Sequence, residues 1–294
     1  MNPYILVITG LTVCLVAALV LFHLETKRFI VKKYHIASPK LPQAFAGTKL
    51  ALISDLHNKV YGKENEKLLS AIEQEKPDYI LIAGDMLVAK PRKDFSVSVE
   101  FLRAVSARYP VYYSYGNHEC RLKEKKERYG DMGRQYEQAI AGLPLHMLHN
   151  QRMRIEKADA FIWVYGLEIA HEYYYRLKNY KMTGNYLNKK LGKKPEEYSI
   201  LIAHNPSYFP AYAQWGADLV VSGHNHGGIA RVPFLGGVID PTLHLFPKYD
   251  RGVFTENETQ MVLSAGTGSH SPNFRAFNPP ELVMITLDRK EPCE

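Results

Sequence analysis

The sequence predicts an α/β layered fold, and two observations support this prediction. From residue 50 onward, short apolar runs alternate with polar stretches that suit helices. Between the first two runs, residues 64–75 place Leu68, Leu69 and Ile72 at helical spacing, and Pro77 closes the segment. A strand, a helix and a second strand in this order are typical of a sheet that is covered by helices.

The apolar runs are short, several are rich in Val, Ile and Tyr, and most are bounded by Gly, Pro or Asp. These properties predict buried strands. The eight runs are residues 50–54, 79–83, 111–115, 161–165, 199–203, 218–222, 261–264 and 282–287.

Length and charge limit the possible functions. A chain of 294 residues with 46% apolar content can form one large domain with an accessory segment. The net charge of +7 suits acidic partners such as phosphates or anionic lipid, and it does not favour nucleic acid over membrane. Three scattered cysteines are too few for a disulfide framework.

The N-terminal segment is expected to lie outside the globular core. Residues 4–24 carry no charged side chain apart from His23, and a helix of this length spans about 30 Å, the thickness of a bilayer core. We therefore predict a transmembrane anchor in residues 1–25, a linker in residues 26–48 and one globular domain in residues 49–294. A cleaved signal peptide is the alternative, but the basic start and the small-residue cleavage site are missing.

The basic residues that follow the apolar run predict which side of the membrane the globular domain occupies. They are Lys27, Arg28, Lys32 and Lys33. Positive charge next to a span favours the cytoplasm, so a cytoplasmic domain is expected and an extracytoplasmic one remains the alternative.

Polar side chains follow five of the predicted strands. They are Asp55 and His57 after the first strand, Asp85 after the second, Asn117 and His118 after the third, His204 after the fifth, and His224 and His226 after the sixth. In open α/β sheets the carboxyl ends of the strands meet along one edge, where ligands bind. One Asp or His after a strand is usually a cap or a satisfied loop residue. The recurrence after five strands instead indicates one shared site.

The chemistry of these side chains indicates which ligand the site holds. Carboxylate, amide and imidazole donors without thiolate suit Mn²⁺, Fe²⁺ or Zn²⁺. A structural zinc site uses four ligands, often Cys, whereas more donors are present here. Two divalent ions about 3.5–4 Å apart, with a hydroxide held between them, would use all the donors and could attack a phosphate ester. The sequence therefore predicts a two-metal phosphoesterase.

The order D-x-H, GD, GNHE, H and GHxH across residues 55–226 resembles the calcineurin-like metallophosphoesterases. The resemblance implies an α/β fold of two facing mixed β-sheets flanked by helices. It implies that Asp55, His57 and His226 hold one ion, that Asn117, His204 and His224 hold the other, and that Asp85 bridges the two. It also implies that His118 gives a proton to the leaving oxygen, a role that imidazole chemistry supports.

Narrower features resemble the bacterial membrane-associated phosphodiesterases of this superfamily. These are the His-x-His-Gly-Gly segment that ends at Gly228, the Phe-Pro-Lys-Tyr stretch at 246–249 and the Gly-containing turn at 264–268. The resemblance implies a phosphodiesterase or pyrophosphohydrolase that acts on a membrane- or envelope-derived substrate, and such substrates include lipid-linked phosphate esters. The Ser/Thr protein phosphatase branch is disfavoured, because its second block continues as Asp-Arg-Gly and Asp85 here is followed by Met86.

Three questions stay open at the level of sequence. A nuclease or nucleotide phosphodiesterase of the same superfamily is one alternative, although an anchor would keep it away from nucleic acid. A scaffold that has lost its chemistry is another, but this sequence lacks none of the ligands. Residues 176–194 carry seven Lys or Arg and no acid, which predicts either a solvated surface or a lid or membrane-facing patch.

Overall fold

Two six-stranded sheets face each other in the computed structural model, and helices cover their outer faces. The structure describes residues 3–175, 180–228, 230–232, 234–269 and 275–291, without the side chains of residues 6, 14, 15, 18 and 21. The helices are α1 (Pro3–Glu25), α2 (Glu66–Glu75), α3 (Ser96–Ser106), α4 (Asn117–Glu124), α5 (Lys126–Tyr129), α6 (Met132–Ile140), α7 (Gly184–Leu191) and α8 (Phe209–Trp215).

Both sheets contain parallel and antiparallel pairs, as the prediction of mixed sheets requires. The first sheet has the order β1 (Ile30–Ser38), β14 (Glu281–Arg289), β2 (Lys49–Ile53), β3 (Tyr79–Ala83), β4 (Val111–Ser114), β5 (Leu145–Met147). The second has the order β12 (Gly252–Glu256), β13 (Thr259–Leu263), β9 (Leu219–Ser222), β8 (Ser199–Ala203), β7 (Ala160–Leu167), β6 (Arg152–Lys157). A small antiparallel pair joins β10 (Arg231–Val232) to β11 (Gly236–Gly237).

All eight predicted strands are present, as β2, β3, β4, β7, β8, β9, β13 and β14, and the predicted helix is α2. Strand β2 shows how the layers are built. Leu50 and Leu52 pack into the core between the sheets, whereas Ala51 and Ile53 pack against the helices on the other face. Because successive strand residues point to opposite faces, a strand buried on both sides reads as a continuous apolar run.

The prediction of a linker over residues 26–48 is wrong. Strand β1 pairs in parallel with β14 along all nine residues, from Ile30 opposite Glu281 to Ser38 opposite Arg289. Beyond it, Leu41 and Phe45 are buried in the core between the sheets. The basic side chains of this segment face outward on an edge strand, which gave it the composition of a linker.

The predicted transmembrane anchor is not supported, although the segment is helical. Helix α1 covers Pro3–Glu25, and the ring of Phe22 packs edge-on against Phe277 of the globular part, with the ring centroids 5.6 Å apart. Among the described residues, no helix is long and apolar enough to cross a membrane.

The basic segment at 176–194 is only partly described, since residues 176–179 lie outside the described residues. Within the rest, α7 packs against α8 and buries Leu187, and Lys194 forms an ion pair with Asp218 at 2.8 Å. This part of the segment is therefore a surface helix with a buried face.

Candidate metal centre

Five parallel strands end at one rim, and the side chains that follow them meet there. Ligand atoms lie within 4.8 Å of one another in three overlapping groups. The groups are Asp55, His57 and His226; His57, Asp85 and His118; and Asp85, His204 and His224. Asn117 lies beside the last group, so the structure brings together all eight residues singled out from the sequence. Each is at most 6% exposed, which makes this a buried cluster of acids and imidazoles.

The backbone at five of these residues has a positive φ. The values are 53° at Asp55, 49° at His57, 55° at Asp85, 73° at His224 and 50° at His226. Residues other than glycine rarely adopt this left-handed conformation, and each instance costs on the order of 1–2 kcal/mol. Such residues cluster at functional sites, where the surrounding structure holds them in place.

Close backbone approach brings the strand ends together. Gly84 has a φ of 74°, and a Cβ atom there would overlap the backbone of Gly116, so β3 and β4 can approach only without a side chain. A Cβ atom at Gly223 would overlap the carboxylate of Asp55 and the side chain of Ser54. The glycines of the GD, GNH and GHxH blocks therefore bring the donors within reach of one another.

Asp85 occupies the middle of the cluster. Its Oδ2 lies 3.1 Å from His204 Nε2 and 3.9 Å from the Nε2 atoms of His57 and His118. Its Oδ1 accepts a hydrogen bond from the backbone N–H of His118 at 2.8 Å, which fixes the carboxylate orientation. One oxygen is thus held by the backbone and the other faces three imidazoles.

Asp55 occupies a similar position on the other side of the cluster. Its Oδ1 lies 3.4 Å from His226 Nε2, 3.8 Å from His57 Nε2 and 3.9 Å from His204 Nε2. The backbone N–H of His224 donates to its carboxylate at 3.0 Å. His57 and His226 also approach each other, with 3.2 Å between their Nε2 atoms.

The side-chain amide of Asn117 indicates which kind of ligand the cluster can bind. One end of its amide lies 3.0, 3.2 and 3.3 Å from His224 Nδ1, His204 Nε2 and Asp85 Oδ2, and the other end lies 2.8 Å from Nη2 of Arg121. Without a metal ion, both ends are satisfied when the NH₂ group faces the cluster and the oxygen accepts from Arg121. The opposite orientation, with the amide oxygen toward the cluster, is favourable only when a cation lies there. Oxygen and imidazole donors in this arrangement fit a divalent metal ion.

The ring orientation of two histidines suits metal binding. Nδ1 of His204 lies 2.6 Å from the carbonyl oxygen of Ala83, and Nδ1 of His57 lies 3.2 Å from that of Leu87. A carbonyl can only accept, so Nδ1 carries the hydrogen in both rings. The Nε2 atom of the neutral ring is then the lone-pair donor, and it faces the cluster.

In His118 the two ring nitrogens have the opposite roles. The backbone N–H of Ala89 donates to Nδ1 of His118 at 2.8 Å, so Nδ1 carries the lone pair. The neutral ring must then carry its hydrogen on Nε2, which faces Asp85. His118 therefore differs from His57 and His204. In the neutral rings, Nε2 of His118 carries a hydrogen toward the cluster, whereas Nε2 of the other two carries a lone pair.

Burial and mutual charge shift the pKa values within the cluster. Burial raises the pKa of Asp55 to about 6. Burial also acts on Asp85, but the imidazoles of His204 and His118 outweigh it and hold the pKa of this carboxyl well below its usual range. Burial would lower the pKa of His204, yet Asp85 and Asp55 raise it to about 10. Without metal, His204 is thus an imidazolium that is paired with Asp85.

Glu119 supports the cluster and was not singled out from the sequence. One carboxylate oxygen accepts from the N–H groups of Asp85 and Gly116 at 2.9 and 3.0 Å, and the other accepts from Met86 N–H and the Tyr113 hydroxyl at 2.7 and 3.0 Å. This side chain ties the loop after β3 to the start of α4. The spacing of a capping box, with a Glu three residues after the N-cap, is the signal that could have identified it.

Arg275 is a second supporting residue that the sequence did not reveal. It is 1% exposed, and its guanidinium donates to the carbonyl oxygens of Ala265, Gly268 and Asn278. It also lies 3.4 Å from Nδ1 of His226. An arginine buried among carbonyls holds the 265–268 turn against the cluster, and no local sequence pattern marks this role.

A cavity of about 300 Å³ opens onto the donors. Asp85, Asn117, His118 and His224 form its floor. Its wall contains Arg121, Lys125, Arg128, His171, Tyr174, Tyr175, Pro241 and Thr242. The cluster is therefore accessible to a small anionic molecule through a basic opening.

Buried carboxylate, amide and imidazole donors at the carboxyl ends of parallel strands, beneath a basic cavity, are the features of a metal-dependent phosphoesterase. The model of the calcineurin-like phosphoesterase family matches residues 48–228, more than half of the chain. The chain belongs to this family, whose members are hydrolases of phosphoesters.

Three curated relatives illustrate its similarity to known proteins. A metallophosphoesterase of Campylobacter jejuni is 27% identical over 255 residues, which cover 86% of this chain and 62% of that protein. Phosphodiesterase YaeI of Escherichia coli is 24% identical over 247 residues, covering 81% of this chain and 82% of the relative. UDP-2,3-diacylglucosamine pyrophosphatase LpxG of Chlamydia muridarum is 22% identical over 291 residues, covering 84% and 86%. The chain thus spans less than two thirds of the first of these relatives.

Proposed function

We propose that this chain is a metal-dependent phosphodiesterase or pyrophosphohydrolase that uses two divalent ions, Mn, Fe or Zn. The observation that carries the proposal is the buried cluster of carboxylate and imidazole donors, beside which the side-chain amide of Asn117 lies. A family of phosphoester hydrolases and a cluster suited to divalent metal support the class.

The proposed ligands follow from the distances within the cluster. Asp55, His57 and His226 would hold one ion; Asn117, His204 and His224 would hold the other; Asp85 would contribute to both. When bound, the ions supply charge stabilisation of the phosphoryl oxygens and an activated water at neutral pH. The protein's own contribution is to hold these donors in a fixed, buried geometry before the substrate arrives.

His118 is proposed to give a proton to the leaving oxygen. Its Nε2 lies at the floor of the cavity, and in the neutral ring Nδ1 accepts from Ala89 N–H. A neutral ring that lost its Nε2 hydrogen would be left as an imidazolate, so the acid is the imidazolium form, which becomes the neutral ring once Nε2 has given up its proton. A general acid of this kind contributes about 10²–10⁴-fold to the rate. In the neutral ring the bond to Ala89 fixes the orientation of Nε2 toward the cavity.

A lipid-linked or envelope-derived substrate is the finer part of the proposal. LpxG is named as a pyrophosphatase of a diacylated nucleotide sugar; that activity belongs to LpxG, and it supports this substrate class only by similarity. Exposed apolar side chains add support: Phe234 is fully exposed, and Leu235 and Phe277 are 68% and 59% exposed. Apolar groups exposed together are typical of surfaces that contact lipid or protein.

A cytoplasmic position of the catalytic domain is likewise a proposal. A reporter enzyme fused to the C-terminus tests it, because a signal found only outside the cell would contradict it.

The activity is tested with the purified full chain on bis(p-nitrophenyl) phosphate. We expect hydrolysis with Mn²⁺, loss of hydrolysis after a chelator, and recovery when Mn²⁺ is added back. Hydrolysis that continues in the presence of chelator, or a protein that holds no divalent metal at any concentration tested, would overturn the proposal.

A further inference from the structure

The cavity above the donor cluster has a basic wall that the proposed chemistry does not require. Arg121, Lys125 and Arg128 line it, and they follow Asn117 at intervals of four, four and three residues. Arg121 lies on α4, Lys125 follows the last residue of α4 and Arg128 lies on α5, so the three cations come from consecutive parts of the chain and line the cavity beside Asn117. Among the described residues that line the cavity, Asp85 is the one acidic residue.

These three cations lack acidic partners among the described residues. Lys123 and Arg134, from the same part of the chain, are paired with Glu137 and Asp131 at 2.8 and 2.7 Å. By contrast, no carboxylate lies within ion-pair distance of Arg121, Lys125 or Arg128 in the described part of the chain; Arg128 has only the ring of Tyr129 beside it. Nη2 of Arg121 lies 2.8 Å from the side-chain amide of Asn117, a neutral partner that leaves its charge in place. The positive charge of the three side chains is therefore not offset by a carboxylate of the described residues, and an anionic ligand can offset it.

The neighbours of these three side chains do not offset their charge. The Nε atom of Arg121 is buried and has no hydrogen-bond partner within the described residues. His171, on the opposite side of the cavity, has its pKa lowered to about 4 by burial and by the charges of Lys125 and Arg121. It is therefore neutral at physiological pH, when it can donate or accept a hydrogen bond without adding charge.

A simple phosphodiester does not account for this wall. It carries one negative charge, which divalent ions held by the cluster already offset. A cavity of about 300 Å³ has the room of roughly ten water molecules, which is more than one phosphate group occupies. Arginine and lysine side chains are the usual protein partners of phosphate oxygens.

We propose that Arg121, Lys125 and Arg128 bind a second phosphate group next to the scissile one, so that the substrate is a diphosphate diester. This inference rests on the proposed function and narrows it. In the reaction, water adds to one phosphorus and the bond from that phosphorus to the bridging oxygen breaks. The leaving phosphate takes a proton from His118, and two phosphate monoesters result. The basic wall binds the phosphate that does not react, which positions the bridging bond over the donors.

The first test measures anion binding without metal, so that it does not depend on hydrolysis. Inorganic phosphate is titrated calorimetrically into the chelator-treated full chain. We expect binding that weakens about tenfold in Lys125→Gln and in Arg128→Gln. Lys126→Gln is the matched control, because Lys126 is exposed, carries the same charge and does not line the cavity. Absence of phosphate binding, or an equal loss in Lys126→Gln, would overturn the inference.

The second test compares two substrates on the metal-loaded enzyme. The symmetrical diphenyl ester of diphosphate is compared with diphenyl phosphate, which has one phosphate fewer. We expect the ratio of their kcat/KM values to fall at least tenfold in the Lys125→Gln, Arg128→Gln double variant and to stay within twofold in Lys126→Gln. An unchanged ratio overturns the second-phosphate site and leaves the phosphoesterase proposal standing. A metal-loaded wild type that is inactive on both substrates contradicts the phosphoesterase proposal instead.

Discussion

Replacing Asp85 by asparagine removes the charge at the middle of the cluster and keeps its shape. Its Oδ2 lies 3.1 Å from His204 Nε2, a separation at which two unit charges interact by about 5 kcal/mol at an effective dielectric constant of about 20. A divalent ion in place of the His204 proton carries twice that charge. Part of the loss is offset because a buried carboxylate no longer has to be desolvated. We therefore expect metal affinity to fall by about 10³-fold, or about 4 kcal/mol.

The assay pairs metal content with hydrolysis. Asp85→Asn should purify with at most one divalent ion per chain and should hydrolyse bis(p-nitrophenyl) phosphate at least about 10³-fold more slowly. Asp218→Asn is the control, since Asp218 is also a buried carboxylate, paired with Lys194 at 2.8 Å and remote from the cluster. Its variant should lose stability and retain metal. A variant of Asp85 that keeps two ions and activity within tenfold of wild type would refute the reasoning.

Three further predictions follow from the geometry of the cluster. His118→Gln should keep its metal and lose about 10²–10⁴-fold in kcat, with the larger loss on esters of poor leaving groups; parallel loss of metal would identify His118 as a ligand instead. Gly223→Ala should melt several degrees lower and bind metal weakly, because the new methyl group overlaps Asp55, whereas Gly142→Ala has nothing within 4 Å and should match wild type in both measurements. Metal affinity, measured by competition titration, should rise as the pH rises, by about tenfold per pH unit between about 6 and 10, because His204 without metal keeps its proton up to its pKa of about 10. Below about pH 6 the dependence should steepen, since Asp55, with its pKa of about 6, is then protonated as well; a flat profile contradicts both assignments.

The central strands were predictable from sequence because they are buried on both faces and so appear as uninterrupted apolar runs. The donors at their ends were predictable for the same reason, since parallel strands of known direction fix the edge at which Asp55, Asp85 and His204 emerge. The prediction of two facing sheets came from the resemblance to a known family and not from periodicity.

There are physical reasons why the remaining elements and contacts were not predicted from the sequence. Strands β1, β6 and β12 lie at sheet edges, where one side is solvated and charged residues are frequent. Arg275 lies far along the chain from the donors, and its role depends on carbonyl groups that any sequence provides. The tautomers of His57 and His118 depend on contacts with Leu87 and Ala89, which only the fold defines.

Strand β1 also has a practical consequence for recombinant work on this protein. Strand β14 is paired with β1 along its whole length on one side, but with β2 at only four residues on the other. A shortened form that starts after Ser38 would leave the backbone N–H and C=O groups along one edge of Glu281–Arg289 unpaired and open to pairing with another molecule, which is a common cause of aggregation. Fragments that begin before Ile30 should stay soluble and monodisperse on gel filtration, whereas those that begin after Ser38 should precipitate or elute as large assemblies.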